Sequence, residues 1–144
     1  MIKIEHFKES DFDLLYDFMK PIWFETYGDI ISKKQIEFLL DKYFSPNATK
    51  YYKGINYQYF KIDDYNGVLV IQDRGDYIYL DKIYFNKEYQ SKGYFKYVIN
   101  YLESMNKDII LNVNQKNLQA IKAYQKQGFE IIKEERIVLD FFIT

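Results

Sequence analysis

The sequence lacks the residues on which several large classes of enzyme depend. Its 144 residues include no cysteine, one histidine, two prolines and six glycines. The absence of cysteine excludes disulfide frameworks, thiolate zinc sites, iron–sulfur clusters and cysteine nucleophiles. The single histidine, His6, argues against a Ser-His-Asp triad and against a multi-histidine metal site. The glycines lie at least eight residues apart, so neither a Gly-x-Gly-x-x-Gly motif nor a Walker loop is present.

The chain also has little net charge, with a formal value of −1 and a sequence pI of about 5.9. Aromatic residues make up 20% of it, with 16 tyrosines and 12 phenylalanines, and such rings could stack on bases. Nucleic-acid-binding domains are usually basic, however, and a codon bias toward Lys, Ile, Tyr and Phe also explains this composition. We therefore expect no nucleic-acid partner.

No long apolar run occurs, so we expect no membrane span. The segment Met1–Phe7 alternates like a strand and lacks the apolar core of a signal peptide. We expect a cytoplasmic protein. The length is that of one domain, spanning residues 1–144.

Hydrophobic periodicity predicts an α/β fold with one mixed sheet (an α+β mixed sheet) in the order β-α-α-β-β-β-α-β-α-β. An opening strand precedes a helix beginning at Ser10, which Pro21 should kink or end. A second capping box begins at Ser32, and Ser45-Pro46-Asn47 should stop that helix. Three strands with turn-like connections then predict an antiparallel meander, at residues 57–62, 68–72 and 77–85.

The second half alternates strands and helices, which predicts at least one parallel strand pair. A helix is expected from near Gly93, a strand at 108–113, a helix at about 117–126 and a last strand at 129–132. The segment from Lys82 to Lys126 contains eight lysines and three acidic residues, a local excess of five positive charges. Such a segment suits an anionic ligand, although lysines that only solvate two helices would produce the same count.

Two motifs lie in this basic segment. Gln90-Ser-Lys-Gly93-Tyr-Phe95 joins a strand to a helix N-terminus, where unpaired backbone N–H groups favour phosphate and glycine allows close approach. Asn117, Ala120 and Tyr124 lie three and four residues apart, on one side of the next helix. Ala120 leaves a shallow place between two polar side chains. Taken alone, Tyr124 would be read as a half-buried core aromatic.

Together these motifs resemble the GNAT superfamily of acetyl-CoA-dependent N-acetyltransferases. Its pyrophosphate signature is Gln/Arg-x-x-Gly-x-Gly/Ala, which Gln90 and Gly93 match and from which Phe95 departs. A second signature, Asn-x-x-Ala-x-x-x-Tyr-x-x-x-Gly-Phe, is matched at five positions: Asn117, Ala120, Tyr124, Gly128 and Phe129. The resemblance implies a GNAT-like fold and transfer of acetyl from acetyl-CoA (coenzyme A) to a primary amine.

The resemblance also implies a cofactor site. The strand before the phosphate turn would splay from its neighbour and pair its backbone with the pantetheine arm at Ile83, Tyr84 and Phe85. Backbone amides between Gln90 and Lys96 would bind the pyrophosphate. The full set of expected cofactor-binding residues is Ile83, Tyr84, Phe85, Gln90, Ser91, Lys92, Gly93, Tyr94, Phe95, Lys96, Asn117, Ala120 and Tyr124. Phe95 should weaken binding unless its ring turns toward the apolar stripe of its helix.

For catalysis, Tyr124 is the expected general acid, because a phenol near pKa ~10 can protonate a thiolate near ~8.5. Asp81 is the preferred base, with Glu25, Glu88 or a water relayed to Tyr79 as alternatives. No metal is expected. The acceptor would be a small-molecule amine, such as a polyamine, or a peptide amine.

Two other functions remain open at this level. The first is a non-catalytic acyl-CoA-binding or regulatory member of the same fold, motivated by Phe95 and the uncertain base. The second is an interaction module that uses its tyrosines, against which the acidic balance counts. Only residues 137–144 follow Arg136, so the final hairpin is either shortened or completed by a neighbouring chain, and a homodimer is plausible.

Overall fold

The computed structural model describes residues 2–90, 92–134 and 138–143, and side chains as far as residue 132. In these ranges the helices are α1 (Phe12–Tyr27), α2 (Lys33–Phe44), α3 (Pro46–Gly54), α4 (Tyr94–Glu103) and α5 (Leu118–Lys126). The strands are β1 (Ile4–His6), β2 (Tyr57–Ile62), β3 (Gly67–Asp73), β4 (Tyr77–Phe85), β5 (Asp108–Asn114), β6 (Glu130–Glu134) and β7 (Val138–Ile143).

All the strands belong to one mixed sheet in the order β1-β2-β3-β4-β5-β7-β6. The first four pair antiparallel, which confirms the predicted meander. β4 and β5 pair in parallel, as the strand–helix–strand pattern predicts. The α/β mixed-sheet class is therefore confirmed.

Helices cover both faces of the sheet, because the central strands carry apolar side chains on each side. On one face, α1 and α2 bury a core with β2 and β3: Leu15, Met19, Trp23, Ile36, Leu40, Phe44, Tyr59, Val68 and Val70. On the other face, α4 buries Val98, Ile99 and Leu102 against a second cluster that includes Leu80, Ile109, Leu111 and Phe129. The site described below lies at β4, which contributes to both cores: Leu80 belongs to the second cluster, and Tyr84 packs against the first.

The sequence suggests that Pro21 kinks or ends the first helix; the helix does not end there but continues to Tyr27. Proline inside a helix costs roughly 3 kcal/mol. The residues that follow it, Ile22 and Trp23, are buried. Burying side chains of this size stabilises by roughly 1.5–3 kcal/mol each, which offsets the cost of the lost hydrogen bond.

Helix α3 is not predicted by the sequence pattern, because Ser45-Pro46-Asn47 indicates only the end of α2. Ser45 does end α2, but its hydroxyl also accepts a hydrogen bond from Ala48 N at 3.3 Å. Pro46 occupies the first turn of α3, where its fixed φ suits a helix start. The same three residues therefore end one helix and begin the next.

The final hairpin is formed by this chain. β7 lies between β5 and β6 and pairs antiparallel with both of them. Its register with β5 runs from Ile109↔Ile143 to Asn114↔Val138. Of the two alternatives for this hairpin, shortened or completed by a neighbouring chain, the second is therefore wrong, and the homodimer stays a prediction.

Gly67 lies at a tight contact between β3 and β4. A Cβ added there would lie 2.8 Å from Phe85 Cδ1 and 3.1 Å from Ile62 Cβ. We expect Gly67→Ala to lower the free energy of unfolding by about 1–3 kcal/mol through overpacking, measured by urea denaturation. In the matched control Gly54→Ala, the new methyl meets nothing within 4 Å, so stability should hold or rise slightly. Equal effects of the two substitutions would contradict this account.

Candidate active site

A β-bulge in β4 marks the centre of the candidate site. Val70 of β3 pairs with Lys82, whereas the next β3 residue, Ile71, pairs with Leu80. Asp81 is thus the extra residue on β4. Bulges increase strand twist and redirect side chains, and they are frequent beside active sites.

Beyond the bulge, β4 and β5 separate. Their described pairing covers only Tyr77–Tyr79 against Asp108–Ile110, although β4 continues to Phe85 and β5 to Asn114. The remainder of β5 pairs with β7 on its other side. The backbone of β4 after residue 79 therefore faces a gap, as the expected splay requires.

A cleft of about 500 Å³ opens beside this gap, between the end of β4, the start of α4 and α5. It brings together ten of the expected cofactor-binding residues: Ile83, Tyr84, Phe85, Gln90, Gly93, Phe95, Lys96, Asn117, Ala120 and Tyr124. The two motifs did not predict the other lining residues: Ile22, Thr26, Gln119, Ala123, Lys126 and Gln127. Ala123 and Gln127 continue the α5 face of Ala120 and Tyr124, so helical spacing alone could have found them.

Two of the expected residues that the structure describes, Lys92 and Tyr94, are not among those that line the cleft. Ser91 lies outside the described residues. Lys92 is exposed next to the turn. The ring of Tyr94 packs on Tyr89, with centroids 4.8 Å apart, and near Phe85.

The N-terminus of α4 presents its backbone to the cleft at Gly93. Gly93 precedes the helix with φ of +83°, a left-handed conformation that favours glycine. A Cβ at this position would meet no atom within 4 Å, so the adjacent space is open. The first N–H groups of α4 lack intrahelical acceptors and suit an anion. Gln90 ties this turn to β4, because its Nε2 donates to Phe85 O at 3.1 Å.

The opposite wall of the cleft is α5. The Asn117 side chain accepts a hydrogen bond from Ala120 N at 3.2 Å and caps the helix. Ala120 and Ala123 have small side chains and leave room for a bound molecule. Lys126, with Lys96 on α4, adds positive charge to the rim.

Tyr124 lies at the inner end of this wall. Its ring contacts Phe95 and Phe129 edge to face, with centroids 5.2 and 5.4 Å apart. Burial raises the pKa of the Tyr124 phenol, and the nearby Tyr27 and Tyr79 raise it further. Tyr124 therefore stays protonated at neutral pH and can donate a hydrogen bond.

The Phe95 side chain packs against apolar neighbours. Its ring packs on Tyr124 and against the apolar cluster of Val98, Ile99 and Leu102. The side chain thus contributes to the cleft wall without covering the backbone at Gly93.

On the face of β4 that packs against α1 and α2, polar side chains lie near the bulge. Asp81 forms an ion pair with its neighbour Lys82. The Tyr79 hydroxyl donates to Asn112 Oδ1 at 2.7 Å across the gap. The hydroxyls of Tyr27 and Tyr84 lie 2.9 Å apart. The two tyrosine pairs join residues far apart in the sequence, so sequence spacing carries no signal for them.

The other candidate bases lie on exposed surface. Glu25 on α1 is exposed and lies 3.9 Å from the ammonium of Lys87. Glu88 is also exposed, in the turn after β4. In the part of the chain that the structure describes, no group of three or more histidine or acidic side chains could hold a metal ion. In the same part, no helix has both the length and the hydropathy that crossing a membrane needs.

The buried tyrosines predict a loss of stability in alkali. Burial raises the pKa of Tyr84 and Tyr124 in the folded protein, whereas the unfolded chain ionises tyrosine near pH ~10. Their contribution is therefore fully present below about pH 10 and is lost as the pH rises toward the folded-state values. Urea unfolding at several pH values between 8 and 11 should show this decline. Tyr84→Phe should make it shallower, and an unfolding free energy that does not change over this range would contradict the assignment.

Comparison with known proteins bears on this geometry. A family model described as "Acetyltransferase (GNAT) family" matches residues 13–129. A comparison with curated protein sequences finds no significant match.

Solved structures share the fold at low identity. PaiA N-acetyltransferase of Thermoplasma acidophilum, in complex with coenzyme A, aligns with a TM-score of 0.83 at 16% identity, covering 99% of this chain and 98% of that chain. The dodecameric spermidine N-acetyltransferase of Vibrio cholerae gives 0.63 at 18%, covering 99% and 92%. Campylobacter jejuni PseH with acetyl coenzyme A gives 0.64 at 17%, covering 100% and 99%.

Proposed function

Because the chain belongs to the acetyltransferase (GNAT) family, we propose that it transfers an acetyl group from acetyl-CoA to a primary amine by direct attack. The observation that carries this proposal is the gap between β4 and β5, which adjoins both the cleft and Tyr124. The acceptor is a small-molecule amine such as a polyamine, or a peptide amine. The spermidine acceptor named for the Vibrio cholerae neighbour supports the first class.

The residues of the cleft fit acetyl-CoA. The open space at Gly93 allows a phosphate to approach the backbone of the α4 N-terminus. Lys96 and Lys126 add charge for the anionic groups. The backbone of Ile83–Phe85 faces the gap, where it can pair with an amide-bearing arm as a neighbouring strand would.

When bound, acetyl-CoA supplies a thioester carbonyl carbon for the amine to attack and a thiolate leaving group. Backbone N–H groups of β4 at the gap polarise the carbonyl oxygen. The phenol of Tyr124 is protonated and lines the cleft, where it donates a hydrogen bond to the departing sulfur and gives up its proton as negative charge develops there. Asp81, at the bulge, accepts the proton of the attacking amine, directly or through a water next to Tyr79.

Two measurements test the proposal. Calorimetric titration with acetyl-CoA should show binding, and thiol release should follow when acceptors are added from a panel of polyamines, amino acids, aminoglycosides and peptides. No binding at millimolar acetyl-CoA would refute the proposal. Binding without thiol release for any amine would support the non-catalytic acyl-CoA-binding alternative.

A further inference from the structure

A buried ammonium group lies next to the gap. The Nζ of Lys82 lies 4.5 Å from the ring centroid of Tyr43 and 5.5 Å from that of Phe44, and it pairs with Asp81. The Lys82 side chain is only 10% exposed and that of Asp81 19%. A carboxylate with aromatic rings is the environment in which proteins bind ammonium ligands.

Tyrosines surround this pair. The rings of Tyr43 and Tyr52 lie 6.3 Å apart, and those of Tyr52 and Tyr57 lie 5.0 Å apart. Burial raises the pKa of Tyr52, Tyr57 and Tyr79, and the nearby charge of Asp81 raises each of them further. Several tyrosines of this tyrosine-rich chain therefore lie close to one another around the carboxylate of Asp81.

The position of the pair relates it to the reaction. Asp81 and Lys82 are the bulge residues of β4, and Ile83 and Tyr84, which follow, line the cofactor cleft. Tyr84 also packs into the core formed with α1 and α2, on the face where Lys82 contacts α2. Tyr84 therefore belongs both to the cleft lining and to the core face on which the Lys82 ammonium lies.

We propose that Asp81 and the Tyr43 ring form the binding site for the acceptor's ammonium group, and that Lys82 occupies this site until the acceptor displaces it. The inference rests on the proposed function for its catalytic meaning. The acceptor is then a primary ammonium on an apolar stem, because the Lys82 side chain that occupies the site is itself a primary ammonium on such a stem. The four-carbon stem of lysine is flexible, so its ammonium can swing to solvent when an external ammonium enters.

Occupancy of the ammonium site by Lys82 has a measurable consequence for the binding of an external ligand. An external ligand binds only the fraction of molecules in which Lys82 has left the site, so its apparent Kd is raised by the inverse of that fraction. If Lys82 occupies the site about nine-tenths of the time, removing its charge lowers the apparent Kd about tenfold. Lys82→Met removes the ammonium while keeping an apolar stem.

The single tryptophan provides the signal. Trp23 lies 6.1 Å from Tyr43 and 5.6 Å from Phe44 between ring centroids. Its fluorescence should change when n-propylammonium chloride is titrated into the full chain without acetyl-CoA, with potassium chloride as the ionic-strength control. Lys3→Met is the matched variant, because Lys3 also pairs with an acid, Glu5 at 3.8 Å, but on the exposed edge strand.

We expect Lys82→Met to bind n-propylammonium at least fivefold more tightly than the wild type, and Lys3→Met to match the wild type. Asp81→Asn and Tyr43→Leu should each weaken binding at least fivefold in the Lys82→Met background. Circular dichroism checks folding, and Lys82→Gln replaces Lys82→Met if the latter unfolds. Equal affinity of wild type and Lys82→Met, or binding that does not depend on Asp81, would overturn the inference. Acetyl-CoA binding and thiol release test the proposed function separately, since neither enters this titration.

Discussion

Replacing Tyr124 by phenylalanine is expected to lower kcat for acetyl transfer by about 10²- to 10³-fold. The change removes the hydroxyl that would donate a proton to the departing sulfur and leaves the ring. That ring packs edge to face on Phe95 and Phe129, so the cleft keeps its shape. The KM for acetyl-CoA should therefore stay within about threefold of the wild-type value, because the lost interaction is made mainly in the transition state.

The measurement is steady-state thiol release with a saturating acceptor. Tyr97→Phe is the matched control, since Tyr97 lies on α4 with its side chain exposed and outside the cleft lining. It should leave both kinetic constants unchanged. A Tyr124→Phe enzyme with wild-type kcat would remove Tyr124 from the acid role.

Ala120→Trp should abolish most of the affinity for acetyl-CoA, with Kd raised at least 100-fold, or about 2.7 kcal/mol. Ala120 lies on the α5 wall of a cleft of only about 500 Å³, and an indole at this position would fill the space between α5 and α4. The residue is partly exposed, so the larger side chain can be accommodated without disturbing the buried core.

Calorimetry with acetyl-CoA measures this effect, and urea denaturation verifies that the fold is kept. Gln125→Trp is the control, because Gln125 lies on the same helix, is exposed and does not line the cleft. Its affinity should equal that of the wild type. If Ala120→Trp bound acetyl-CoA normally, the cleft would not be the cofactor site.

Local signals in the sequence predicted most elements well. Ser32 caps α2 by accepting a hydrogen bond from Gln35 N, as the capping box predicts, and α5 spans Leu118–Lys126, close to the predicted 117–126. β2 and β4 have the predicted bounds. These features depend on residues a few positions apart, whose hydrogen bonds and side-chain periodicity are set by local backbone geometry.

Errors arose where a local signal competed with packing. Pro21 is a helix breaker by propensity, yet α1 passes through it because Ile22 and Trp23 are buried beyond it. The final hairpin depended on a strand inserted between two others, β7 between β5 and β6. Sheet order is a long-range property, and nothing in a six-residue segment specifies its neighbours.

The sequence by itself determined the family, the mixed α/β class and the two motifs that form the cleft walls, because each is written in residues close together along the chain. Only the tertiary structure decided what lies between those walls. It placed Phe95 on Tyr124, extended the lining with Ile22 and Thr26 of α1, and put the Lys82 ammonium between Asp81 and Tyr43. The physical reason is that a cleft and a contact between an ammonium group and an aromatic ring are properties of packed surfaces, which join residues of different elements once the chain has folded.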